Sequence, residues 1–121
     1  MRNLLNVFKA LSDESRLRIL KLLEGSELCI CKIMEVLEMK QSRVSRHMGI
    51  LKNAGLVIDR REGKWVHYSL NAQPEHICCE EVIAILEKSL KGNEAIGKDR
   101  LKLKKLLEKE RRGLWRPAGR C

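Results

Sequence analysis

Apolar positions recur with a period near 3.6 through the first half of the chain and then switch to a period of two. Leu4, Val7, Phe8 and Leu11 predict a first helix. Ser12-Asp13-Glu14-Ser15 supplies capping side chains for a second, carried by Leu17, Ile19, Leu20, Leu22 and Leu23 and ended at Gly25. Ser26-Glu27 opens a third, with Ile30, Ile33, Met34 and Leu37 apolar, so that Cys29 and Cys31 fall at its start. After Glu38-Met39-Lys40 a fourth begins at Gln41, turns Val44, Met48 and Leu51 inward, and stops at Asn53-Ala54-Gly55. The β-rich runs 56–60 and 64–70 follow, joined by Arg61-Glu62-Gly63 as a tight hairpin. Beyond Pro74 the helical period returns through Val82, Ile85, Leu86 and Leu90; Gly92 and Gly97 interrupt it, and 101–112 reads as a last, charged helix. The expected order is α-α-α-α-β-β-α, a mainly α chain with a β-hairpin wing (α+β).

Two short helices joined by about four residues and followed by a two-stranded hairpin make a winged helix-turn-helix. In that arrangement one helix fills the major groove of DNA and the hairpin reaches the neighbouring backbone or minor groove. The expected division is a winged helix-turn-helix DNA-binding and dimerisation domain over 1–92 and a basic C-terminal helix or tail over 93–121.

Charge supports a nucleic-acid partner, because it is unevenly placed. The 121 residues carry 25 Lys and Arg against 16 Asp and Glu, a formal net charge of +9. Residues 1–39 balance, residues 40–64 hold a net of +5 around the hairpin, residues 71–96 are net −3, and residues 97–121 are net +7. Solubility alone predicts interspersed signs, which describes 1–39 and not 40–64. No uncharged apolar run approaches the roughly 18–20 residues that span a bilayer, and the N-terminus is too poor in apolar residues for a secretory signal. A cytoplasmic domain with an acidic partner and no membrane is expected.

The proposed recognition helix opens on Gln41-Ser-Arg-Val-Ser-Arg-His47. Gln and Arg suit bidentate readout of adenine and guanine, and Ser suits base or phosphate. Gln41, Ser42, Arg43, Ser45, Arg46 and His47 are therefore the expected DNA contacts on the helix, with His47 expected to pack or to contact backbone. Lys52, Arg60, Arg61 and Lys64 are placed for phosphate, which positions the protein without specifying sequence.

Five cysteines in a chain with no export signal argue against a disulfide framework. Cys29 and Cys31 are two residues apart. On a regular helix they point about 200° apart and cannot chelate one ion, whereas on extended backbone they share a face. A thiophilic ion bound there would distort the first turn of the helix that supports the recognition helix. Core cysteines are the plain alternative.

The segments Glu27-Leu-Cys-Ile-Cys-Lys-Ile33, Ser42-Arg-Val-Ser-Arg-His47, Leu51-Lys-Asn-Ala-Gly-Leu-Val57 and Gly63-Lys-Trp-Val-His-Tyr-Ser-Leu70 resemble the ArsR/SmtB family of metal-responsive repressors. They are most similar to its arsenic-sensing branch, in which Glu-Leu-Cys-Val-Cys-Asp-Leu heads the third helix. Asp13-Glu-Ser-Arg16 is similar to the Asp-Pro-Thr-Arg of that family. The resemblance covers 3–70 well, 71–90 weakly and 91–121 hardly at all. It implies a homodimer joined through the first and the post-wing helices, repression of double-stranded operator DNA without ligand, and release when As(III) or Sb(III) binds Cys29 and Cys31.

The chain also departs from that pattern. Met34 stands where the arsenic sensors supply a third cysteine, and a thioether is a poor substitute for a thiolate. Cys78, Cys79 and Cys121 are the remaining candidates for a third ligand, a small-molecule thiol being the alternative. Lys40 replaces the usual capping Ser, so a weaker cap and one more phosphate contact are expected. No His follows His76, so the zinc site of the family's later helix is absent. His67 reads as a structural residue of the wing, and His76 as a partly buried helix start, a second thiol/imidazole site with Cys78 and Cys79 being the alternative.

Alternatives remain at this point. The same thiols suit Cd, Pb or Zn, or oxidation, as the signal. A cytosolic thiol protein that sequesters metal is a different class, and the charge map opposes it. An enzyme is not expected: the sequence offers no Cys–His dyad at supporting spacing, no phosphate-cradling glycine loop and no paired carboxylates in an apolar pocket. In the tail, Ile96, Leu103, Leu107 and Leu114 form one apolar stripe under a Lys/Arg face. That face suits the core, the dimer interface, nonspecific DNA contact or anionic lipid.

Overall fold

In the computed structural model six helices and three strands follow one another among the described residues. They are α1 (Arg2–Leu11), α2 (Glu14–Leu22), β1 (Leu28–Cys29), α3 (Ile30–Leu37), α4 (Gln41–Asn53), β2 (Val57–Glu62), β3 (Trp65–Leu70), α5 (Cys79–Ser89) and α6 (Glu94–Arg111). The structure describes residues 1–72 and 79–117, with only the backbone of Cys79. It is a winged helix-turn-helix.

Local chemistry explains most boundaries. The Asp13 carboxylate caps α2 by accepting from the Arg16 amide at 3.1 Å. Lys40 precedes α4 with no side-chain cap, as a lysine there requires. The end of α4 is a Schellman turn: Gly55 takes φ +79°, its amide donates to Lys52 O, and the Leu56 amide donates to Leu51 O. Leu51 and Leu56 are both buried beneath that turn. The turn from α3 into α4 uses Glu38 at φ +54°, the only non-glycine residue with positive φ among those described. A left-handed non-glycine residue costs about 1–2 kcal/mol, so packing holds this turn in place.

Three features differ from the sequence expectation. The third helix begins at Ile30 rather than at Ser26-Glu27, and Leu28–Cys29 forms a short strand instead. That strand pairs antiparallel with β3, Leu28 opposite Tyr68 and Cys29 opposite His67, so the wing belongs to a three-stranded sheet of order β1-β3-β2. The last helix starts at Asn93, whose side chain caps the Ile96 amide at 3.1 Å, and runs through Gly97 without a break.

The core gathers Ile19, Leu20, Leu23, Leu28, Ile33, Val44, Met48, Leu51 and Leu56, each essentially without exposure. Leu103 and Leu106 join it from α6, which packs on α2 and α3. An ion pair reinforces that packing: Arg18 donates from Nε and Nη2 to Asp99 at 2.7 and 2.8 Å, with Asp99 only 5% exposed. Asp99 holds the Arg18 guanidinium still further toward its charged form, chiefly by this hydrogen bonding. At the other end of α6, Lys32 Nζ meets Glu110 at 2.8 Å and lies over the Trp115 ring, whose Nε1 donates to Glu35.

By contrast, α1 leaves Leu4, Leu5 and Phe8 exposed, Phe8 by 61%, and α5 leaves Ile85 exposed by the same fraction. No described helix is long and apolar enough to cross a membrane.

Candidate nucleic-acid interface and thiol site

The outward arc of α4 follows from 100° per residue. Val44, His47, Met48 and Leu51 occupy one side and are buried. Gln41, Ser42, Ser45, Arg46, Gly49, Lys52 and Asn53 occupy the other and are exposed, with Arg43 exposed on the flank. Gly49 sits mid-arc, where an added Cβ would meet nothing within 4 Å. Small residues at 42, 45 and 49 give the helix a low crest between Gln41 and Arg46. Sequence reasoning passed over Gly49, although its i+4 spacing from Ser45 was available.

His47 was expected on the DNA face and lies inside instead, 2% exposed. Its spacing from Val44 and Leu51, three before and four after, puts it on the core stripe. Arg16 accounts for it: Nε donates to Ala10 O at 2.8 Å and Nη1 approaches His47 Nδ1 at 3.1 Å. Because a guanidinium only donates, His47 Nδ1 accepts and the ring is neutral. Burial pushes the imidazole below its ordinary value, and nearby Arg16, Arg46 and Arg43 act in the same direction against Asp13. Its Nε2 has no protein partner.

Carboxylates already hold two of the basic residues expected at phosphate. Arg60 forks onto Glu27 at 2.6 and 3.2 Å and also donates to Glu62 at 3.0 Å. Glu27 and Glu62 hold Arg60 further above its usual range. Lys52 meets Asp59 at 3.0 Å. Among the described residues Arg43, Arg46, Arg61 and Lys64 are exposed and form no ion pair. Gly63, at φ +63°, makes the turn that carries Lys64.

The two thiols of 29 and 31 stand on different elements. Cys29 ends β1 in extended backbone (φ −73°, ψ 155°), is 5% exposed and is a free thiol. Cys31 is buried in the first turn of α3 and is disulfide-bonded. Cys29 lines a cavity of about 410 Å³ with His67, Trp65, Lys32 and the tail residue Trp115. The β1–β3 register sets Cys29 directly opposite His67, a thiol–imidazole neighbourhood that their separation of 38 positions concealed. Met34 packs against the core. No group of three or more metal-ligating side chains forms among the described residues. His76, Cys78 and Cys121, and the side chain of Cys79, lie outside them.

The family model described as "Bacterial regulatory protein, arsR family" matches residues 13–59, from the α2 cap into the wing. The Bacillus subtilis arsenical resistance operon repressor is 35% identical over 88 residues, covering 71% of this chain and 84% of that protein. The chain belongs to the ArsR family. Its likeness to the Escherichia coli arsenical resistance operon repressor is 47% over 68 residues, 55% of this chain and only 58% of that one. The chain thus spans little more than half of that ArsR-family relative. In solution, the homodimeric winged helix-turn-helix DNA-binding domain Mb0332 of Mycobacterium bovis superposes with a TM-score of 0.62 at 28% identity, covering 77% of this chain and 86% of that one. The ArsR-family match ends before β3, so α6 and the tail lie beyond it.

Proposed function

We propose that this ArsR-family chain is a dimeric transcriptional repressor that binds operator DNA and releases it when As(III) or Sb(III) is captured by Cys29 and Cys31. The carrying observation is that these two residues straddle the junction of β1 and α3, the helix packed directly on α4. Cys29 is extended and Cys31 helical, so their sulfurs converge on one ion only if Ile30 leaves helical geometry. Capture of the ion therefore unwinds the first turn of α3 and disturbs the seat of the recognition helix. Gln41, Ser42, Ser45 and Arg46 read base edges, while Arg43, Arg61 and Lys64 hold phosphate. The exposed apolar residues of α1 and α5 join two copies, which suits a twofold operator.

The ion needs both thiols, so the disulfide at Cys31 must first be reduced. That bond favours a second reading, in which oxidation of the same thiol is the signal. Cd, Pb and Zn share the affinity for thiolate and are ranked only by titration.

The test is anisotropy of a labelled operator duplex, with reductant, as arsenite is added. Wild type releases the duplex and Cys29→Ser retains it. Equal release from both proteins overturns the arsenic assignment; release on oxidation alone favours the second reading.

A further inference from the structure

Along α6 and its C-cap, Lys98, Lys102, Lys105, Lys109 and Arg112 are spaced four, three, four and three apart. At 100° per residue they fall in one stripe about 80° wide, all exposed, running about 21 Å along the helix axis. The opposite side of α6 is the anchored one, through Ile96, Asp99, Leu103 and Leu106. Four of the five cations have no ion-pair partner among the described residues; Lys102 alone meets a carboxylate, Glu38, at 3.2 Å.

That one contact locates the ridge. Glu38 is the left-handed residue of the turn from α3 into α4, followed by exposed Lys40 and then Gln41. At the far end, Gly113, Trp115 and Arg116 share a cavity with Glu62 and Trp65 of the wing. The ridge thus runs on the α3 side of the molecule, from beside the recognition helix to the turn end of the hairpin. Arg100, on the other flank of α6, leans toward Glu24 after α2 instead.

We infer that this ridge is a second DNA-contacting surface, which grips the phosphate backbone of duplex flanking the operator half-site. The inference rests on the DNA-binding reading above. Three observations support it. An unpaired row of like charges repels itself, and a polyanion relieves that repulsion. Its length matches about six base-pair steps at 3.4 Å each. The Arg18–Asp99 pair and the Lys32–Trp115–Glu35 contacts hold the helix that carries the ridge, so little helix ordering remains to be completed on binding.

Each phosphate contact adds about 0.9 to the slope of log affinity against log salt. The test compares wild type with a Lys98→Gln/Lys105→Gln/Lys109→Gln variant on two duplexes. One contains only the operator core, and the other extends it by about ten base pairs at each end. On the longer duplex the variant is expected to bind at least tenfold more weakly at physiological salt, with a slope shallower by roughly 3 per bound copy. On the core duplex the two proteins bind alike. Identical slopes on the longer duplex, with normal operator binding by both, overturn the ridge and leave the repressor reading intact. Absence of duplex binding by wild type overturns both. Wild-type capture of phosphatidylserine vesicles, with unchanged DNA slopes, assigns the ridge to lipid and overturns it as well. The three lysines are exposed and unpaired, so matching thermal melts of variant and wild type check that the fold is kept.

Discussion

The chain has two basic blocks, and they are built on opposite plans. Around the wing, carboxylates of the same chain already hold cations: Arg60 by Glu27 and Glu62, Lys52 by Asp59. Along α6 the bonded charges lie on the inward and α2-facing sides, while the outer ridge is nearly free of partners. The wing spends a cation on fixing its own shape and leaves Arg61 and Lys64, with Arg43 and Arg46 of the neighbouring α4, free of carboxylate partners. The ridge has no shape of its own to fix, because a buried ion pair and leucines do that beneath it. Unpaired cations number five in 40–64 (Lys40, Arg43, Arg46, Arg61 and Lys64) and six among the described residues of 97–121, so a segment's charge sum does not say which of its cations are free.

The largest expected effect falls on the support of the ridge. Asp99→Ala leaves Arg18 facing the core edge alone. Loss of one partner from a buried pair costs about 3–5 kcal/mol, and the partial exposure of Arg18 reduces this to roughly 2–3 kcal/mol. Urea unfolding followed by circular dichroism measures it; a loss below 1 kcal/mol would show that leucines alone dock α6.

Next comes the reading head. Arg46→Ala should weaken the specific operator by about 10- to 100-fold, or 1–3 kcal/mol, and barely affect random duplex. Equal losses on both duplexes would make Arg46 a phosphate contact like those of the ridge.

A smaller effect is a pH dependence beneath the recognition helix. Burial lowers the His47 pKa from 6.5, so the folded protein resists a proton that the unfolded chain accepts. The stabilisation from the neutral ring is complete above about pH 6.5 and is lost as pH falls toward the lower, folded-state value. Stability curves taken between about pH 7 and 5 should slope downward for wild type and flatten for His47→Gln. An unchanged slope in the variant would place the titrating group elsewhere.

The smallest effect concerns the wing's internal bonds. Glu27→Gln frees one side of Arg60 on the surface, so the unfolding midpoint stays in place while the salt dependence of duplex binding steepens. A shifted midpoint would mean that this exposed pair holds the wing together.

Period and punctuation made much of this legible beforehand. Four helices, the hairpin and the Gly55 stop stood in the apolar spacing, and Asp13 announced its cap. Strand β1 did not, because two residues carry no period and their identity as a strand depends on Tyr68 and His67, far along the chain. Gly97 read as a break because a glycine in a helix costs about 1 kcal/mol locally; burial of Ile96, Leu103 and Leu106 outweighs that. The burial of His47 was available from its i+3 and i+4 neighbours, yet the basic residues around it drew the reading toward DNA. The free and bonded cations could not be distinguished where the pair joins distant segments, as Arg60 does with Glu27 and Arg18 with Asp99.

Cys29 has one more consequence. Its backbone belongs to a ladder whose middle strand is also half of the wing, while its next neighbour begins the helix beneath the recognition helix. A pull on that single residue has two outlets, one through hydrogen bonds into the hairpin and one through the helix axis into the groove reader. On the proposed repressor reading, a ligand no larger than one atom loosens both grips on DNA at once, without either grip touching the ligand.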